Sequence, residues 1–316
     1  MIPSRFELCC LPTPCHRLPR ASARLGVELW IKRDDLTGFA GGGNKGRKLE
    51  YLVPEIQASG AEVVVTCGST QSNFVRQLAA ACRMIGVRCE AVMMHLPYEP
   101  EYGKPASPGP HGGGNMVLNE LFGLVSHVMP DGSWDDLFAA ADELALRLRH
   151  AGQQVYQVAI GGSSPQGAYA FWQAAQELDM PFDNLVTATS SGSTLAGLAT
   201  ALQGTGCRVI GISCDPEEEN RDDVLRLSRE VCDTFGVASP LGDVDIRFEF
   251  AGEGYGVPSA EGERARRTLA AEEAILLDSI YSAKAFAGLE ALVASGEIQG
   301  RTLFWHTGGT PSIFAH

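Results

Sequence analysis

Lys45 follows three consecutive glycines and Asn44 in "GFAGGGNKGRKLEYL" (38–52), with Arg47 and Lys48 just behind it. A lysine amine attacks an aldehyde only when neutral, and burial or neighbouring cations lower its pKa toward that state. Dense glycine lets backbone approach a ligand closely. The same run also reads as a solvated basic turn at a helix start, so spacing alone leaves Lys45 either a nucleophile or a surface charge.

Three more segments put small polar residues where a strand runs into a helix: "GSTQSN" (68–73), "SSGST" (190–194) and "HTGGT" (306–310). In a parallel α/β sheet this is where ligands bind. Ser190, Ser191, Gly192, Ser193 and Thr194 offer hydroxyls and free N–H groups ahead of a helix, which suits a phosphate and equally suits a capped serine-rich turn. Ser72 has a capping position and could also take a substrate carboxylate. An aldehyde cofactor with a phosphate handle would use both Lys45 and the 190–194 loop, and pyridoxal phosphate has that form. Gly41, Gly43 and Gly46 also satisfy G-x-G-x-x-G. The preceding strand is separated from them by "RDDLTGFA", and Glu62, about 20 positions on, opens a strand instead of closing one, so the dinucleotide reading lacks its context.

These loops must be held by an α/β framework. "VELWIK", "EVVVTCG", "VRCEAVMM", "NLVTATS", "CRVIGISC" and "RTLFWH" read as short strands, alternating with helical stretches such as "KGRKLEYLVPEIQASG", "SNFVRQLAAACRMIG" and "YSAKAFAGLEALVASG". That alternation predicts mainly parallel sheets flanked by helices. Pro54 requires a kink or a place near the start of its helix. The Pro/Gly-rich stretch 96–115 is a long loop, a linker or a mobile element over a site.

The chain has 316 residues, 45% hydrophobic and 20% charged, with a formal net charge of −13. Such an acidic balance argues against nucleic acid or anionic membrane as the partner, and an anionic ligand would need a local positive site. No run approaches a membrane span, and the N-terminal stretch has no signal-like apolar core. Nine cysteines without a C-x-x-C pair suggest a reduced, cytoplasmic compartment. The seven histidines lack ligand spacing, so no metal site is expected.

Seven motifs in order, "IKRDDLTGFAGGGNKGRKLEYL", "GSTQSNFVRQLAAA", "IGGSSPQGAYAF", "SGSTLAGL", "GYGVP", "LLDSIYSAKAFAGL" and "FWHTGGTPSIF", span nearly the whole chain. Through them the sequence resembles the fold-type II pyridoxal-phosphate enzymes, tryptophan synthase beta-like in fold, and within them the D-cysteine desulfhydrase / 1-aminocyclopropane-1-carboxylate deaminase group. The resemblance implies two α/β domains with the cofactor between them: residues 1–47 plus 156–316 as the larger, and 48–155 as the smaller. It implies Lys45 as the lysine that bonds the cofactor aldehyde, with Asn44 beside it, and Lys48 and Ser190–Thr194 on the phosphate. It further implies Asn73 on the ring's phenolic oxygen, Ser282 at the pyridine nitrogen and Thr307 near the ring. Ser72, Asn73 and Phe74 would face the substrate, with Ser72, Tyr255 and Tyr281 as proton-handling groups.

The implied reaction is α,β-elimination from a small amino acid, D-cysteine giving pyruvate, ammonia and sulfide. A homodimer is implied as well. Ser282 is a neutral hydroxyl like the threonine of the desulfhydrases, and "HTGG" is desulfhydrase-like, whereas "SGSTLAG" is closer to the deaminases. Phe74 stands where the group carries a polar residue, so it reads either as a changed substrate contact or as packing on a buried helix face. Ring-opening deamination, lyase action on L-cysteate, and an altered member that binds cofactor or amino acid without efficient turnover are the alternatives.

Overall fold

A computed structural model describes residues 3–106 and 110–316; residues 107–109 of the long loop 96–115 thus lie outside the described part. In chain order come β1 (Cys15–Arg17), α1 (Pro19–Leu25), β2 (Glu28–Arg33), α2 (Lys45–Ala58), β3 (Val63–Ser69), α3 (Asn73–Met84), β4 (Arg88–Met94) and α4 (Gly114–Leu121). Then follow β5 (Val125–Val128), α5 (Trp134–His150), β6 (Val155–Gln157), α6 (Pro165–Ala175), β7 (Asn184–Thr189), α7 (Ser193–Leu202) and β8 (Arg208–Ser213). The chain ends with α8 (Asn220–Phe235), β9 (Asp245–Arg247), α9 (Ala260–Glu273), α10 (Ser282–Ala294) and β10 (Arg301–His306).

The strands form two sheets. The larger has the order β1-β2-β10-β7-β8-β9 and the smaller β5-β4-β3-β6. Every pairing is parallel except the edge pair β1–β2. Helices cover both faces of the central strands, so β3 and β7 are buried along their whole length and read as continuous apolar or small-residue runs. The smaller sheet takes in β6 as far as Gln157, two residues past the limit of 155 expected for the smaller domain.

Helix α2 joins the two halves. Its Leu49, Leu52, Val53 and Ile56 pack with Val64 of the smaller sheet, while Arg47 at its start is ion-paired to Asp34, just after β2. Pro54 lies inside α2, in its last part, and the helix continues to Ala58. The strand ends that matter for chemistry, those of β3, β7 and β10, all open toward the same cleft between the sheets, because each is followed by a loop that lines one cavity there.

Candidate active site

The cavity is lined by Asn44, Lys45, Lys48, Gly68, Ser72, Asn73, Phe74, Ser190, Ser191, Gly192, Thr194, Tyr255, Tyr281 and Thr307, among others. Lys45 enters it from the first position of α2. The glycines ahead of it let three chain segments meet. Gly42 has φ +76°, and a Cβ there would run into the Asp35 carbonyl. Gly43 has φ +116°, and a Cβ there would sit 3.2 Å from Gln77 Nε2 and 3.4 Å from Thr307 O. Asn44 N–H then donates to Thr307 O at 2.9 Å, which ties the lysine loop to the β10 loop.

Three lysines surround the cleft, Lys48 and Lys284 fully buried and Lys45 partly exposed, and their partners differ. Lys284 Nζ donates to Cys214 O at 3.1 Å, Ala251 O at 2.6 Å and Gly254 O at 2.8 Å, and it is absent from the cavity wall. Lys48 Nζ donates to Gly161 O at 3.0 Å. Lys45 has only Lys48 as a hydrogen-bonding neighbour, and burial lowers its pKa to about 8. Burial and the Lys45 charge together hold Lys48 well below an ordinary lysine. Of the three, Lys45 is the amine that donates to no protein oxygen, and its lowered pKa leaves an appreciable neutral fraction near neutral pH.

Opposite the lysines stands the turn into α7. Gly192, with φ +84°, precedes the first residue of the helix. Asn44 Nδ2 donates to Thr194 Oγ1 at 3.1 Å, and Ser163 Oγ donates to Ser191 O. The buried hydroxyls of Thr189 and Ser193 have no hydrogen-bond partner. The unsatisfied Thr189 hydroxyl lines the cavity with Ser190, Ser191, Gly192 and Thr194 ahead of α7, and with Lys48 they are the donor set an anion of phosphate size requires.

The third wall is aromatic. The Tyr255 and Tyr281 hydroxyls are 2.5 Å apart, and Ser69 Oγ lies 3.4 Å from Tyr255. Asp278 holds Tyr281 in place: its Oδ2 accepts from Tyr281 N at 2.9 Å and Ile280 N at 3.0 Å. Burial raises both phenols, and Tyr281 lies well above an ordinary tyrosine because the neighbouring Tyr255 adds to the effect. Both therefore remain protonated across the neutral range.

Ser72 caps α3, accepting from Val75 N at 3.3 Å, and still reaches the cavity. Asn73 Oδ1 accepts from Arg76 at 2.8 Å and from Asn115 at 3.0 Å, so its NH2 group is the part left for a ligand. Phe74 is 1% exposed, packs with Leu52, Val53 and Leu78, and touches the cavity with its edge. Its neighbours are those of a packing residue. Two expected residues are not on the wall. Ser193 is buried one step behind it, and Ser282 donates its hydroxyl to Asp278 Oδ1 at 2.5 Å. The hydroxyl placed by resemblance at the pyridine nitrogen is thus engaged by a carboxylate four residues earlier.

The structure adds residues that spacing did not mark. Trp134, at the start of α5, lines the cavity, lies 5.1 Å edge-on from the Tyr255 ring and donates Nε1–H to Glu217 Oε1 at 2.8 Å. Ile160, Gly161, Ala188, Thr189 and Gly308 complete the wall. Asp278 and Lys284 support it from behind; both sit inside "LLDSIYSAKAFAGL", so the motif held them without assigning them a task.

A free amine, a second amine beside it, and a hydroxyl-rich loop ahead of α7 fit pyridoxal phosphate. Comparison with known proteins agrees. The family model described as pyridoxal-phosphate dependent enzyme matches residues 7–308. The chain is 38% identical to a D-cysteine desulfhydrase of Yersinia enterocolitica, with 99% of this chain and 96% of that protein covered. It is 35% identical, at the same coverage, to a D-cysteine desulfhydrase of Salmonella paratyphi B. A solved structure of an ACC deaminase homologue superposes with TM-score 0.87 and 32% identity over 99% of this chain and 94% of that one. O-ureido-L-serine synthase, 19% identical with TM-score 0.64, shares the fold. A match across almost the full length, on a cavity with these groups, makes this chain a member of the pyridoxal-phosphate-dependent enzyme family, and it is an α/β enzyme of that cofactor.

Proposed function

We propose that the protein is a carbon–sulfur lyase that eliminates sulfide from D-cysteine, leaving pyruvate and ammonia. The observation that carries the reading is the Lys45 amine in one cavity with the Tyr255–Tyr281 hydroxyl pair. The full-length similarity to proteins named D-cysteine desulfhydrase supports it.

Pyridoxal phosphate would be held by Lys45 at its aldehyde, by Lys48 and residues 190–194 at its phosphate, and by Asn73 and Thr307 at its ring; there it supplies an electron sink that makes a substrate Cα–H acidic. The rest is work for side chains. Ser72 and the first N–H groups of α3 bind the substrate carboxylate. Lys45, near pKa 8, can take the Cα proton and return it at neutral pH. The two phenols, protonated and hydrogen-bonded to each other, donate to the departing sulfur or to the carbon left behind. Tight walls of Trp134, Ile160 and Phe74 exclude water until sulfide has left.

Ring-opening of 1-aminocyclopropane-1-carboxylate is the second reading, favoured by the likeness to the ACC deaminase homologue. The lobes fit a division near 48–155, as two separate sheets support. Nine free cysteines support a reducing cytoplasm. Exposed Val117, Leu121 and Phe314 offer an apolar face that a second copy would cover in a homodimer. The test of function is the product. Cofactor-loaded protein should release pyruvate and sulfide from D-cysteine, whereas 2-oxobutanoate from the cyclopropane alone would replace this reading with the second.

A further inference from the structure

Arg76, in the first turn of α3 behind Asn73, is fully buried. Buried Arg47 and Lys32 are paired with carboxylates, Arg47 with Asp34 and Glu177 and Lys32 with Glu177, whereas buried Lys48 and Lys284 donate to backbone carbonyls. Arg76 has no carboxylate partner among the described residues. Its Nη1 donates to Asn73 Oδ1 at 2.8 Å and Asn115 Oδ1 at 2.5 Å, its Nη2 to Gly42 O at 2.7 Å, and its Nε to nothing. Burial lowers its pKa to about 10, so it keeps its charge at neutral pH. A buried charge without a counter-ion is unfavourable, and it is compensated once an anion comes close.

The three groups it holds identify where that anion sits. Gly42 is in the loop that carries Lys45, Asn115 is in the first turn of α4, and Asn73 is on the cavity wall. Because the arginine occupies the Asn73 oxygen, the Asn73 NH2 is turned to the cavity, beside Ser72 and the N-terminal dipole of α3. A protein of net charge −13 repels anions at a distance, so a local positive charge is needed to draw one in.

We propose that Arg76 is the counter-charge for the substrate carboxylate, a positioning residue acting through Asn73 and the start of α3 that selects free amino acids over their amides. The proposal rests on the lyase reading, since that reading makes the substrate an amino acid.

The test is spectrophotometric titration of the holoenzyme with D-alanine, which has no leaving group, and with D-alaninamide, which lacks the charge. Wild type should bind D-alanine at least about 30-fold tighter than the amide, as expected for a charge at short range in a partly desolvated site. Arg76→Met should bring the two within about 3-fold by weakening D-alanine alone. Arg76→Lys, with the charge but not the fork, should restore most of the preference. Equal weakening of both ligands in R76M would mean a purely structural role and overturn the proposal. Equal affinities in wild type would overturn it too, as would a change in cofactor absorbance with the preference intact, which would assign the charge to the cofactor. If R76M does not fold, loss of the preference in R76K overturns the proposal and its retention supports it. Failure of D-alanine to bind wild type at all would instead count against the lyase reading.

Discussion

Tyr255 and Tyr281 bring their hydroxyl oxygens to 2.5 Å on the wall of the cavity that Lys45 also lines. One comes from the loop before α9 and the other from the residue capping α10. One phenol donates to the other, which leaves the acceptor's own proton free for the substrate, so they act as a unit. Tyr255→Phe and Tyr281→Phe should each lower kcat by about 10²- to 10³-fold, and the double variant should lose little more than the worse single. Steady-state pyruvate formation measures this. Fully multiplicative losses would show that the phenols act separately.

The paired lysines make stability depend on pH in a definite direction. Lys45 titrates at about 8 in the folded protein against the ordinary 10.5. Between those values the unfolded chain binds more protons, so stability rises with pH across that window. The depressed Lys48 adds to it. The Tm of apoprotein from pH 8 to 10 should therefore rise relative to that of Lys45→Met, by the equivalent of about 3 kcal/mol at most. Parallel curves for the two proteins would contradict the buried, unpaired amine.

Trp134 and Glu217 link the halves of the cleft, and the link carries an acid out of its usual range. Burial, with the Asp215 charge second, lifts Glu217 to about 7. A raised carboxyl pKa means the folded chain holds the proton more firmly, so stability falls as pH rises from about 4.5 to 7. Glu217→Gln keeps an acceptor for Trp134 Nε1 and removes the charge. At pH 8 its Tm should exceed that of wild type by about 2 °C, after allowance for solvent screening. The gain should vanish near pH 5. A lower Tm at both pH values would mean that the carboxylate itself is required.

Phe74 separates packing from recognition. Phe74→Ala should destabilise by about 3–5 kcal/mol, as for an aromatic removed from a packed core. Phe74→Leu should cost less than half of that and leave KM for D-cysteine within about 2-fold. Chemical denaturation and steady-state kinetics distinguish the two effects. A large KM change in a stable Phe74→Leu protein would return this side chain to the substrate site.

Strands were legible where several apolar or β-branched residues run together, as in Val63–Val65 of β3, because a two-sided burial leaves no alternation to confuse. Ser72 and Ser190 stood out because each lies between a strand and a helix, whereas spacing left Lys45 open and the resemblance alone assigned it. Phe74 shows the limit. Its position within "QSNF" left substrate contact and packing both open, and the turn of its ring onto Leu52 and Leu78 beside the cavity is a direction set by tertiary packing. Ser282 shows another: its hydroxyl serves Asp278, a partner four residues away that no spacing rule singled out. Trp134 reaches the cavity through the placement of α5 against the smaller sheet, information absent from any local run.

The account turns on which amine takes the cofactor aldehyde, and Lys45, Lys48 and Lys284 compete for that role. Borohydride reduction of the holoprotein followed by peptide mapping decides among them. The pyridoxyl mass should appear on the peptide containing Lys45, and Lys45→Ala should carry none anywhere. Label on Lys48 or Lys284, or label retained in the variant, would contradict the assignment and the mechanism built on it.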